Sequence, residues 1–339
     1  MNFLDIIICQ YLEDDNIIDN LFSSINKQKF VDFSEIGIIL INDCSNVIIS
    51  DELIKKYSNL NITYLKNDKN VGPGITRQNG VDYSEAKYVT FVDADDELYG
   101  DNGLRMVIGC LKDTDADLVA ASYIGQRKGN NKLIEKTYEA NYTSASLHAK
   151  FIKRSFLVEN NVRFSDKLSC HFEDSYFSII LTAMKFNEKV TYNINYPIYY
   201  WKDNENSITR KKDNIHYYAR HFSDFILCPN LVYDFLKDKE PKFAEMFYQN
   251  ALIDIYVILE SDIFNDKSLT KIKKEYEKEF LDLVLKNKNL YYNKTKDDFY
   301  KLFLNEKNWY IDYLNIKDNI VNIFDFLNDN NISMTFKED

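Results

Sequence analysis

The chain has 339 residues, of which 45% are apolar and 15% aromatic, a composition that excludes a disordered polypeptide and is long enough for a sizeable core. Its formal charge of −11 counts against a non-specific nucleic-acid binder, although it leaves room for a local basic groove. No run of about 18 apolar residues occurs, so no membrane-spanning helix is expected.

Phe3 to Cys9 is apolar apart from Asp5 and predicts a first strand buried on both faces. Gln10 to Asp14 forms a polar turn at its carboxyl end. Between Asn16 and Ile25, the apolar residues Ile17, Ile18, Leu21, Phe22 and Ile25 recur with a 3.6-residue period and predict a helix. Glu35 to Ile41 is a second strand that runs into Asn42-Asp43-Cys44-Ser45. A helix over Asp51–Tyr57 and a strand over Ile62–Leu65 follow. Asn70-Val71-Gly72-Pro73-Gly74 then makes a turn able to present backbone N–H groups to an anion. No Gly-x-Gly-x-x-Gly follows the first strand, which argues against a dinucleotide cofactor. Ile75–Ser84 is predicted helical and Tyr88–Val92 a fourth strand. Strands alternating with helices in this way predict a parallel sheet with right-handed crossovers.

Further on, residues 104–111 predict a helix, Ala116–Ile124 a strand, Gln126–Lys136 a loop or hairpin, and Phe151–Val158 a helix. His171-Phe172-Glu173-Asp174 heads the apolar run Tyr176–Met184, and Tyr192–Trp201 is aromatic and extended. Beyond about residue 215 the chain changes to long amphipathic segments such as Phe247–Leu259 and Leu269–Leu285. The expectation is an α/β domain over residues 1–215 and a helical region over 216–339 that would bind an acceptor or join protomers. Five scattered cysteines without a Cys-x-x-Cys pair suggest reduced thiols in a cytoplasmic protein and no zinc site. The amino terminus lacks the basic and long apolar stretches of a secretory signal.

The centre of the chain is Tyr88-Val89-Thr90-Phe91-Val92-Asp93-Ala94-Asp95-Asp96-Glu97. Its first half is a buried strand, and its second half places carboxylates where that strand ends. Ligands of open α/β sheets bind in the crevice at those carboxyl ends. Asp-x-Asp at such a mouth suits a divalent cation shared with a substrate's phosphates, whereas the plainer reading is an acidic solvated turn.

Five blocks, in order, resemble the family 2 glycosyltransferases. They are Ile6-Ile7-Ile8-Cys9-Gln10-Tyr11, Ile38 to Ser45, Asn70 to Gly80, Phe91 to Asp96, and the set formed by Phe151 to Leu157, Phe164 and Glu173-Asp174. Tyr199-Tyr200-Trp201 and Asn206-Ser207-Ile208-Thr209 extend the resemblance, which covers roughly residues 3–215. It implies the GT-A fold, a mostly parallel central sheet flanked by helices, and transfer of a sugar from a nucleotide-diphosphate donor, with UDP favoured. It further implies a Mg²⁺ or Mn²⁺ ion held directly by Asp95, with Asp93 near the ribose or the metal's waters and Asp96 either ligating or only orienting. Donor contacts would come from Tyr11, Asp43, Asn70, Arg77, Asp93, Ala94 and Asp95. Asp43 would accept an N–H from the base, Tyr11 would stack on it, and Arg77 would reach the base or phosphates. Asp174 would be the general base for the acceptor hydroxyl, with Glu173 holding the acceptor or orienting the loop. A single base implies inversion at the anomeric carbon.

Several positions depart from the family pattern: Cys9-Gln10 in the first block, Asn42 for the first Asp of the second, Cys44 for a Gly, and Gln78 between Arg77 and Asn79. Glu97 is expected to cap a turn. His148 is expected to be structural, and His171 reads as a loop histidine or as a contact to acceptor or phosphate. Ser207 with Arg210-Lys211-Lys212 reads as a basic tail closing over the diphosphate or as a solvated charge run. Three other readings compete. One is transfer to a modified DNA base, and one is a nucleotidyltransferase, which would want a Gly-rich basic loop after the first strand. The third is a non-catalytic nucleotide-sugar-binding module. The acceptor expected is a glycan or cell-surface polymer, and a homo-oligomer through the C-terminal helices is compatible with the pattern.

Overall fold

The computed structural model describes residues 2–129, 132–144, 146–168, 171–184, 191–204, 215–259, 264, 266–286, 326–327 and 329–332. The chain divides into two compact units, Met1–Arg210 and Lys211–Asp339.

In the first unit, strands β1 (Leu4–Gln10), β2 (Ile36–Asn42), β3 (Asn61–Lys66) and β4 (Tyr88–Asp93) lie parallel in the order β3-β2-β1-β4. β1 and β2 are rich in Ile and Leu because both of their faces are covered, whereas β3 at the edge is only partly buried. Helices α1 (Asp15–Asn26), α2 (Asp51–Lys56) and α3 (Gly72–Tyr83) make the crossovers. α1 buries Ile18, Leu21, Phe22 and Ile25 and is capped by Asp14, whose side chain accepts from the amides of Asn16 and Ile17.

Beyond β4 the sheet changes character. After the short β5 (Glu97–Leu98) and α4 (Gly103–Thr114) come the hairpin β6 (Leu118–Gly129) and β7 (Lys132–Tyr138), then β8 (Lys150–Lys153), α5 (Arg154–Glu159), α6 (Glu173–Ala183) and β9 (Thr191–Trp201). β8 lies between β4 and β6 and runs antiparallel to both, while β6 and β9 are parallel across a bulge at Ser122. The sheet is therefore parallel on one side and mixed on the other.

This arrangement corrects the helix expected over Phe151–Val158. Phe151 and Ile152 are buried because they fill the gap between β4 and β6, and the helix starts only at Arg154. Glu97 likewise caps no turn: it lies in β5 and forms a 2.8 Å ion pair with Lys202.

α3 is an unusual helix because the residues it buries are Gly74, Thr76, Arg77, Gln78, Gly80 and Val81. It lies close on β1, since a Cβ at Gly80 would come within 2.5 Å of Ile7 Cγ2. Small and polar residues therefore face the sheet, and α3 carries polar groups into the interior.

The second unit contains α7 (Ile215–Leu236), α8 (Pro241–Leu259) and α9 (Thr270–Lys286). They share a core that includes Phe222, Tyr248, Ile255, Tyr276 and Phe280. No described helix is long and apolar enough to cross a membrane. Asn206 to Thr209 and Arg210-Lys211-Lys212 lie outside the described residues.

Candidate active site

Register brings the proposed site together. Cys9 of β1 lies opposite Asp93 of β4, and Gln10 opposite Asn42 of β2, so Tyr11, Asp43 and Asp93 share the carboxyl edge of the sheet. Tyr11 is 45% exposed, which leaves its ring free at that edge. Ala94, expected at the donor, is buried in the core.

Asp43 is buried and holds the loop ahead of α3. Its Oδ1 accepts from Asn67 Nδ2 and from the Val71 amide, each at 2.9 Å, and its Oδ2 accepts from the Gly72 amide at 2.8 Å. Gly72 has φ 82, a left-handed conformation that glycine adopts at little cost. Asn67 also donates to Thr76 Oγ1, while Asn70, expected at the donor, is exposed.

Asn42 shows why an amide stands where the family has a carboxylate. Its Nδ2 donates to the Val47 carbonyl at 2.8 Å and its Oδ1 accepts from the Ser45 amide at 2.6 Å. An aspartate could not make the first of these bonds. Cys44, one residue after Asp43, has φ 58, the left-handed region that a Gly would favour.

The acidic residues after β4 have separate environments. Asp93 is partly exposed and pairs with Arg77, Nη2 to Oδ1 at 2.7 Å; His148 Nε2 is 3.9 Å from its Oδ2, too long for a hydrogen bond. Burial works against ionisation of Asp93, yet the Arg77 guanidinium, helped by His148, holds its carboxyl well below the usual carboxylate range. Asp95 accepts from Asn204 Nδ2 at 2.7 Å, and burial raises its pKa. Asp96 is 2% exposed, and its carboxyl accepts from the Tyr199 hydroxyl at 2.5 Å and the Lys202 amide at 2.8 Å. Burial, and then the charges of Asp93 and Asp95, raise its pKa well above the usual range.

Arg77 is itself 9% exposed and has a second partner, Glu173 Oε1, at 3.2 Å from Nη1. Glu173 starts α6 and is buried; burial and its neighbour Asp174 raise its pKa, and Arg77 opposes the rise. Asp174 is in the first turn of α6, a position favourable to a carboxylate, and its Oδ1 accepts from the Ser175 amide at 2.7 Å. The acidic residues of two distant segments are thus joined through Arg77. Cys9 packs against this group as an inert thiol, with its pKa pushed up to about 12 by burial.

Part of this cluster has the chemistry of a cation site. One ligand atom each from Asp93, Asp96 and His148 lies within 4.8 Å of the others, and His148 Nδ1 is buried with no hydrogen-bond partner among the described residues. Carboxylate oxygens with one imidazole suit Mn²⁺ or a similar ion. Asp93 belongs to this group and Asp95 stands outside it. His148 gets there from a loop that joins the hairpin to β8. The sequence signals nothing of this, because the approach depends on pairing between strands far apart in the chain.

Residues 5–177 match the family described as Glycosyl transferase family 2. The chain belongs to that family. A teichoic acid poly(glycerol phosphate) polymerase of Staphylococcus epidermidis is 28% identical over 221 residues, covering 59% of this chain and 28% of the relative. The minor teichoic acid biosynthesis protein GgaB of Bacillus subtilis is 25% identical over 270 residues, covering 75% of this chain and 29% of the relative. This family 2 chain therefore spans less than a third of the length of either. Among solved structures, S. aureus TarS 1–349 in complex with UDP superposes with a TM-score of 0.63 at 17% identity, covering 90% of this chain and 87% of that one. At that identity the likeness shows a shared GT-A fold.

Proposed function

We propose that this chain transfers a sugar from a UDP-sugar to a hydroxyl group of a teichoic acid-type polymer, with a divalent cation and with inversion at the anomeric carbon. The observation that carries the reading is the link that Arg77 makes between Asp93, at the end of β4, and Glu173, which stands next to Asp174 at the start of α6. Family membership supports the reaction class. The names of the two bacterial relatives support the polymer, and the UDP complex of TarS supports the nucleotide.

In this reading Tyr11 stacks on the base, and Asp43 shapes the loop of Val71 and Gly72 beside it. Asp93, Asp96 and His148 would hold the cation, with Asp95 at the rim, and the ion would neutralise charge on the departing diphosphate. Asp174 takes the proton of the acceptor hydroxyl. Among the described residues its Oδ1 is engaged by the Ser175 amide and its Oδ2 makes no hydrogen bond, which leaves that oxygen for the acceptor. In-line attack from that side displaces the nucleotide from the opposite face of the sugar, hence inversion.

Thermal unfolding with a panel of nucleotide sugars, with and without Mn²⁺, tests the donor class, because a ligand that binds only the folded chain stabilises it. Stabilisation by a UDP-sugar that needs Mn²⁺ is the expected result, and no response to any UDP-sugar would refute the reading. Asp174→Asn should retain donor binding and lose about 10²–10⁴-fold in turnover.

A further inference from the structure

Arg77 is the one arginine among the described residues that is buried, and it pairs with carboxylates 16 and 96 residues further along the chain. Its guanidinium presents a rigid fork of donors, so the positions of the two carboxylates are fixed relative to each other, which a single ammonium could not do. Two more contacts join α3 to the same side of the site. Gly74 faces Glu173 so closely that an added Cβ would lie 2.9 Å from Glu173 Cγ. Gln78 Oε1 accepts the Phe164 amide at 3.1 Å. Phe164 in turn stacks on Phe177 of α6, with centroids 4.2 Å apart, and Phe91 of β4 meets both rings edge-on. Gln78, which interrupts the family's Arg-Asn pair, thus has a local role in seating the segment that leads into α6.

We infer that Arg77 is a positioning residue: it transmits the placement of Asp93, on the donor side, to Glu173 and thereby aims the adjacent Asp174 at the acceptor. The inference rests on the transfer reading above and goes beyond it by assigning Arg77 to the carboxylates rather than to the base or phosphates of the donor. Glu173 then acts through its bond to Arg77, and the acceptor meets Asp174 alone. Loss of Arg77 leaves two carboxylates without their shared cation, and loss of the Glu173 charge leaves Arg77 held by Asp93 alone, so either change lets the start of α6 shift.

A double-mutant cycle on the full chain tests this. Arg77→Met, Glu173→Gln and the double variant are assayed for UDP release from UDP-GlcNAc in the presence of glycerol phosphate oligomers, and for UDP affinity by calorimetry. If the pair works as one unit, each single variant loses about 10²-fold in kcat, because small misplacements of a reacting group are costly. UDP affinity stays within about threefold, and the double variant is no slower than the slower single one, as coupled residues behave. Multiplying losses of about 10⁴-fold in the double variant would overturn the inference, since independent sites add in free energy. A loss in Arg77→Met confined to UDP affinity would also overturn it. Should Arg77→Met not fold, Arg77→Lys takes its place in the cycle, keeping a charge without the fork. Asp174→Asn in the same assay separates the two claims. A normal rate there ends the transfer reading and this inference with it, whereas an inactive Asp174→Asn beside an uncoupled Arg77 and Glu173 ends the inference alone.

Discussion

The Tyr199 hydroxyl donates to Asp96 Oδ2 at 2.5 Å and accepts the Asp93 amide at 3.2 Å, so one phenol from β9 holds both ends of the acidic turn after β4. Tyr199 is buried, and its hydroxyl is pushed well above its ordinary pKa by burial and by the charges of Asp93 and Asp96. Tyr199→Phe leaves the Asp96 carboxyl and an amide short of a partner. The expected cost is about 1–3 kcal/mol, the price of an unsatisfied buried polar group. Urea unfolding measures it, and a variant as stable as the parent would show that Asp96 is held by other contacts.

A second prediction concerns the cation. His148→Ala removes one of the three groups proposed to hold the ion and should weaken Mn²⁺ binding by at least the ~10–100-fold that loss of a residue merely supporting a ligand costs. Paramagnetic resonance of free Mn²⁺ reads this without any turnover. Unchanged affinity would return His148 to the purely structural role expected from its sequence context.

Gly74→Ala probes the approach of α3 to α6. The new Cβ would stand 2.9 and 3.0 Å from Glu173 Cγ and Cβ. Overpacking of this kind costs about 1–3 kcal/mol, and the displaced Glu173 should reduce transfer by more than the stability loss accounts for. Comparing kcat with the unfolding free energy of the same variant checks the point. An active, unperturbed Gly74→Ala would mean that the two helices can separate freely.

Lys150 in β8 is 1% exposed, and its amine donates to the Ser144 carbonyl. Burial lowers its pKa to about 7, although Asp174 acts in the opposite direction. An unfolded lysine titrates near ~10.4. Between those values the unfolded chain binds more protons than the folded one, so the folded state gains stability as pH rises through the window. Urea midpoints near pH 7 and near pH 9 should show the parent gaining roughly 2–3 kcal/mol relative to Lys150→Met. Parallel pH profiles for the two proteins would mean that this amine remains charged.

The residues differ in how much they disclose by themselves. β1, β2 and β4 are mostly apolar runs ending in polar residues, so their place at the centre of a parallel sheet follows from the chain alone. β8 does not, because a four-residue strand followed directly by a helix has the periodicity of one longer helix. Asn70 is the asparagine the motif points to, yet Asn67 is the one that binds Asp43, and only the return of the chain to that carboxylate reveals it. Arg77 shows the same limit: its helix is legible, but its two partners come from segments whose proximity is created by the tertiary fold.

α3 has a consequence for how this molecule can change. A helix that buries Thr76, Arg77 and Gln78 contributes little oily cohesion, so α1 and α4, with their Leu, Ile, Phe and Val faces, supply the adhesion on the other side of the ledger. Mutational drift in those two should show up as lost yield of soluble protein. Drift in α3 should instead leave well-folded but sluggish molecules, so a screen scored on expression alone would pass over the element closest to the chemistry.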